Sequence, residues 1–114
     1  MNIRELLSRY AAGQRDFRGL NLVAANLRNV NLSGINLSGA NLTKANLTRT
    51  NLSYANLTDA VLIGALLTET NLARANLTNA DLNQVNLNQA ILHGTRMADG
   101  KQASIQAHPI QMSV

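Results

Sequence analysis

His93 and His108, with Asp59, Glu69, Asp81 and Asp99, are among the side chains of this sequence that could carry acid–base or metal chemistry. A histidine near carboxylates could hold a divalent metal, and two facing carboxylates could share acid–base work. Their spacing supports neither. No His, Asp or Glu group has the separations of a ligand set, and the chain has no cysteine, so a thiolate site and a disulfide framework are both excluded. Serines and threonines are frequent, but none stands beside a base that would activate it. No glycine-rich loop follows a strand pattern and opens a helix, so the usual phosphate cradle is missing. The sequence therefore predicts no catalytic residue, no metal, no cofactor and no small-molecule substrate.

What positions the side chains is a repeat. A large apolar residue returns at every fifth place, from Phe17, Leu22, Leu27 and Leu32 through Leu57 to Leu92 and Met97. Two residues earlier stands a small or β-branched residue, as in Ala40, Ala45, Ala55, Ala75 and Ala80, and between the two there is usually Asn, as in Asn41, Asn46, Asn56 and Asn76. The unit is Ala-Asn-Leu-x-x, in tandem and without insertion. One such unit cannot bury itself, so the core must come from stacking. On an α-helix five residues leave a net rotation of about 140°, which smears the leucines round the axis. On a flat strand alternate leucines would change face. Collagen needs Gly at every third place, and a coiled coil needs a mean spacing of about 3.5. What remains is a chain that turns a corner once per unit, a solenoid with short β-like sides. Its Leu fills the axis, its small residue shares the inward direction, and its Asn bonds the neighbouring backbone at the corner.

This pattern resembles the pentapeptide-repeat family, whose signature is A(D/N)LXX, over about three quarters of the chain. The resemblance implies an all-β fold: a right-handed quadrilateral β-helix of about four coils, in which residues twenty apart stack. The residues themselves divide the chain into three regions. Residues 1–14 would be an N-terminal capping helix, residues 15–99 the β-helix, and residues 100–114 an irregular tail or one laid over the last coil. The helix follows from the residues themselves. Asn2 can cap it, with Glu5 completing a capping box, and Ile3, Leu6, Leu7, Tyr10 and Ala11 share one face up to Gly13. The inward Thr50 and Thr70 need partners for their hydroxyls, and a backbone carbonyl is the expected one.

Function is drawn from the surface. Val61 and Leu66 stand where Asn is usual, and Ile63 lies outside. In the four-sided arrangement Val23 shares a column with Ile63. These four are a candidate contact patch, and Ile105 and Ile110, five apart in the tail, join them as possible interface residues. The expected role is a non-catalytic solenoid for protein interaction. The partner would be a protein, or a second copy joined through the C-terminal coil or the aliphatic patch. A self-assembly element without a foreign ligand is one alternative. Weak binding of nucleic acid is another, but Arg18, Arg28, Lys44 and Arg49 do not converge on one side. Some family members mimic DNA and bind gyrase through an acidic surface. A net charge of +4 with charged residues at 14 % opposes that here. Met1–Glu5 lacks the apolar run of a signal peptide, and no apolar stretch nears the roughly eighteen residues of a membrane span. The expected location is the cytoplasm, with no membrane contact.

Overall fold

The computed structural model of the protein describes residues 1–101. It opens with α1, Ile3–Ala11, whose N-cap Asn2 accepts the Glu5 N–H at 2.8 Å. The second half of a capping box is not made, because the Glu5 carboxylate turns to Arg9, one helical turn on, at 2.6 Å. Leu6 is fully buried in the same core as the repeat leucines, with Ile3, Leu7 and Tyr10 packed against it. The Tyr10 hydroxyl donates to the Ser33 carbonyl at 2.6 Å, and the Arg15 guanidinium lies 3.7 Å over the Tyr10 ring.

Beyond α1 most units share one backbone plan. In the unit that starts at Asn36, the Leu37 N–H donates to Asn56 O at 2.8 Å, and Asn56 N–H donates back to Ile35 O at 2.9 Å. The Gly39 N–H donates to Thr58 O at 2.9 Å, and the turn closes on itself through Ala40 N–H to Leu37 O at 3.0 Å. The Asn side chain serves the one remaining amide: Asn36 Oδ1 accepts the Ser38 N–H at 3.0 Å, as Asn56 does for Thr58 and Asn71 for Ala73. Replacing Asn76 by Ala, which strips Thr78 N–H of its acceptor, should cost about 1 kcal/mol by urea unfolding.

The all-β quadrilateral β-helix predicted from the sequence is overturned here. Among the described residues there is one α-helix and no β-strand. Residues twenty apart do pair in parallel, Asn36 with Asn56 and Asn56 with Asn76, but each pairing is an isolated bridge one residue long. The period is the cause. Two residues of every five are spent in a turn, so only the first residue of a unit has both flanks in the ladder, and no run of paired residues can build up. The radius of gyration, 13.2 Å, matches the value of about 13 Å for a compact chain of this size, and the molecule measures 46 × 21 × 21 Å. A β-helix solenoid is therefore not the architecture. The role drawn from one, together with its alternatives of self-assembly, nucleic-acid binding and gyrase mimicry, loses that footing.

The core is a column of leucines. Leu27, Leu32, Leu37, Leu42, Leu47, Leu52, Leu57 and Leu77 are completely buried, with Ala40 and Ala45 between them. The buried hydroxyls of Thr50, Thr70 and Thr95 donate to the carbonyls of Leu27, Leu47 and Leu72, each twenty-three residues back. Burial weakens at both ends: Leu20, Ala25 and Val30 are half-buried, as are Leu82, Val85, Leu87, Leu92 and Met97.

The fourth residue of most units adopts positive φ. Asn and Gly suit that region, but Tyr54 also holds it, at 62° with its side chain 64 % exposed. A left-handed conformation costs a bulky L-residue about 1–2 kcal/mol, and Asn less. Tyr54→Asn should therefore stabilise the protein by about 0.5–1 kcal/mol, seen as a higher urea midpoint with an unchanged slope.

Candidate contact site

Bridges through the first residue of each unit make four ladders. One runs Asp16–Asn36–Asn56–Asn76–Arg96, a second Asn21–Asn41–Val61–Asp81 and a third Asn31–Asn51–Asn71–Ile91. The fourth, Asn26–Asn46–Leu66, stops at Leu66 among the described residues, although the register brings Asn86 next. Leu66 is well held on its near side, donating to Ala45 O and accepting the Leu47 N–H, both at 2.9 Å. On its far side the usual pair of bonds, Leu67 N–H to Asn86 O and Asn86 N–H to Ala65 O, is missing. The register also slips. Glu69 N–H reaches Gln89 O at 3.0 Å, whereas Gly64 and Arg74 reach the residue nineteen on, Asn83 and His93.

Val85 occupies the inward place beside the break that Ala25, Ala45 and Ala65 hold in the layers before it. A branched residue there does not by itself open a rung, because Ile35 is fully buried at the same place of its unit and its carbonyl still accepts the Asn56 N–H at 2.9 Å. Beside the break is a cleft of about 250 Å³, with Leu66, Leu67 and Thr68 on one side and Gln84, Asn86 and Gln89 on the other. No lining residue is ionisable.

Of the residues singled out in the sequence, Leu66 is 53 % exposed at the mouth of this cleft. Val61 and Ile63 are partly exposed in the preceding unit. Val23 is 47 % exposed, but Thr43 lies between it and Ile63 in the stack, so the structure does not join it to the others. Ile105 and Ile110 lie outside the described residues. Sequence reasoning missed Gln84, Asn86 and Gln89. No departure from the repeat marked them, since branched residues at the inward place, Val30 and Ile35, keep their rungs. It also passed over Ile91, 48 % exposed where Asn is usual. Replacing Asn has a local cost as well: Val61, Leu66 and Ile91 offer no oxygen to the amides of Ile63, Thr68 and His93.

Charges are dispersed. Arg49 pairs with Glu69 in the next layer at 3.0 Å, and Arg18 forks onto Asp16 with both contacts at 2.9 Å. The Arg18 hydrogen bond holds the Asp16 carboxyl below its ordinary range. Among the described residues no group of three His, Asp or Glu could hold a metal, and no helix is long and apolar enough to cross a membrane.

A family model for pentapeptide repeats matches residues 21–58 and 55–94, in eight copies. The chain belongs to the pentapeptide-repeat family. It is similar to a pentapeptide repeat protein of Nostoc PCC 7120, alr5209, with 39 % identity over 84 % of this chain and 75 % of that one, at a TM-score of 0.48. A second similar structure, from the Arabidopsis thaliana thylakoid lumen, shares 28 % identity over 81 % of this chain and 68 % of that one, at a TM-score of 0.46. A third, Rfr23 of the cyanobacterium Cyanothece 51142, shares 37 % identity over 78 % of this chain and 64 % of that one, at a TM-score of 0.41. No curated protein matches. The chain is thus a pentapeptide-repeat protein and, with that family, not an enzyme.

Proposed function

We propose that this pentapeptide-repeat protein binds another protein, without catalysis, on the side where the Asn26–Asn46–Leu66 ladder breaks. One observation carries the reading: Leu66, half-exposed, stands at the edge of a cleft whose backbone amide and carbonyl have no partner among the described residues. A single exposed leucine is ordinary. An exposed leucine beside an open ladder edge offers a partner both apolar contact and main-chain pairing. Val61 and Ile63 extend the contact. In this reading residues 1–14 cap one end of the stack and residues 15–99 carry the site. The protein works in the cytoplasm, although one relative comes from a thylakoid lumen.

The test places a photo-crosslinking amino acid at position 66 and, as a control, at the exposed Asn79 on another side of the stack. Illumination in an extract of the source cells should give one discrete protein adduct from position 66 that excess wild-type protein competes away. An adduct of twice the chain mass would identify the partner as a second copy. Equal labelling from both positions, or none from position 66, would refute the proposal.

A further inference from the structure

We infer that the open edge of the first layer, at Asn21 and Asn26, binds an extended acidic segment of another protein. The edge faces the end of the stack, and its role does not depend on the contact at Leu66. In the second layer each ladder residue is held by the layer before it. Asn46 N–H donates to Ala25 O at 2.8 Å, and Asn46 O accepts the Leu27 N–H at 2.9 Å. Asn41 is held in the same way by Leu20 and Leu22. No layer precedes the first. The N–H and C=O of Asn21 and Asn26 therefore have no backbone partner among the described residues, and neither have the carbonyls of Val23 and Arg28.

Helix α1 closes the axis but not this edge. Leu6 is completely buried in the leucine core, and the Tyr10 hydroxyl takes Ser33 O, the counterpart of Val23 O and Arg28 O on another side of the stack. Burial shows what stays open. Ala25 is half-buried and Asn26 exposed, whereas Ala45 and Asn46, at the same places one layer on, are fully buried and half-buried. What the first layer lacks there is the cover of a preceding layer, so an added chain meets solvent and not packed side chains. Asn21 and Asn26 are fixed by their pairing with Asn41 and Asn46, so the free groups need no rearrangement. Such an edge pairs with the backbone of an extended segment, whatever its sequence.

Charge supplies the preference. The charged residues stand singly, but they are not shared evenly between the two ends. Residues 1–35 hold five arginines and two carboxylates, so most of the net charge of +4 lies at this end. Both carboxylates are taken, Glu5 by Arg9 and Asp16 by Arg18. Arg4, Arg15 and Arg28 have no carboxylate partner among the described residues. Arg28 stands on the turn that leaves the Asn26 rung, with its N–H on Asn26 Oδ1 at 3.3 Å. A carboxylate on a segment paired at that rung meets this guanidinium, whereas a lysine there meets repulsion.

The probe is acetyl-Glu-Val-Thr-Val-Glu-amide, added to the isotope-labelled full chain while backbone amides are followed by NMR. Saturable shifts centred on the amides of Asn21 and Asn26 are expected, with binding that weakens as salt is added. The peptide with Lys in place of both Glu should bind about tenfold more weakly, and so should the analogue N-methylated at both Val, which cannot donate to the ladder carbonyls. Arg28→Glu should weaken the acidic peptide by a similar factor. Arg74→Glu, the same charge change two layers further on, should leave its binding unchanged. Shifts that are absent or centred elsewhere would overturn the inference, as would equal binding of the Lys or N-methyl peptide, or equal effects of the two arginine substitutions. The same shifts on concentrating the protein alone would make the occupant a second copy and reject the acidic segment.

Discussion

Leu57→Asp should leave the chain unable to fold. Leu57 is completely buried, and the residues twenty before and after it, Leu37 and Leu77, are completely buried too. A carboxylate there would have packed leucine above and below it. Even protonated, it would be a polar group with no designated partner, costing roughly 2–7 kcal/mol, and the lost leucine packing adds about 2–5. Domains of this kind have about 5–15 kcal/mol in total, so the sum removes most or all of it. Thr58→Asp is the matched control. Thr58 is partly exposed and its amide is already held by Asn56 Oδ1 at 3.0 Å, so the new carboxylate faces water and should cost within about 0.5 kcal/mol. Thermal melts by circular dichroism separate the two. A cooperative Leu57→Asp transition near the wild-type midpoint would refute the inward assignment of the fifth-place leucine, and a collapse of Thr58→Asp would refute the outward one.

How far this structure can be read from its sequence depends on which contacts repeat. The inward leucines, the corner at each unit, the Asn2 cap and the carbonyl partners of Thr50 and Thr70 follow from local rules, whereas the pairing of residues twenty apart came from the family resemblance and not from the period. The fold class went wrong for a local reason as well. Counting inward and outward residues suggests strand-like sides, but the hydrogen bonds of one unit leave only its first residue bridged, and Gly39 N–H to Thr58 O belongs to a turn. The contact site was legible only in part. Leu66 stood out because it displaces Asn. The cleft beside it was not legible, because the regular repeat that reveals the rungs hides a rung that fails. The Glu5 carboxylate shows the same limit on a smaller scale: a capping box and an i,i+4 pair with Arg9 compete for one side chain, and the spacing of the residues permits both.

The second large effect separates the middle of the stack from its end. Leu47→Ala should cost about 2–5 kcal/mol, because Leu27 lies on one side and Leu67 on the other, both buried, and neither layer can close the void without breaking its ladder bonds. Leu92→Ala makes the same chemical change at the same place in the repeat. Leu92 has buried Leu72 on one side, but it is only half-buried itself. The next layer in register falls at residue 112, outside the described residues. A partly exposed leucine has less apolar area to lose and less rigid surroundings, so Leu92→Ala should cost about 1 kcal/mol. Urea unfolding at a common slope gives the two values directly. A Leu92→Ala cost equal to that of Leu47→Ala would mean that Leu92 is enclosed in solution as completely as the central leucines. Burial at that end would then come from the chain beyond residue 101 or from a second molecule, and repeating both measurements over a range of protein concentrations separates those two sources, because only the second makes the stability depend on concentration.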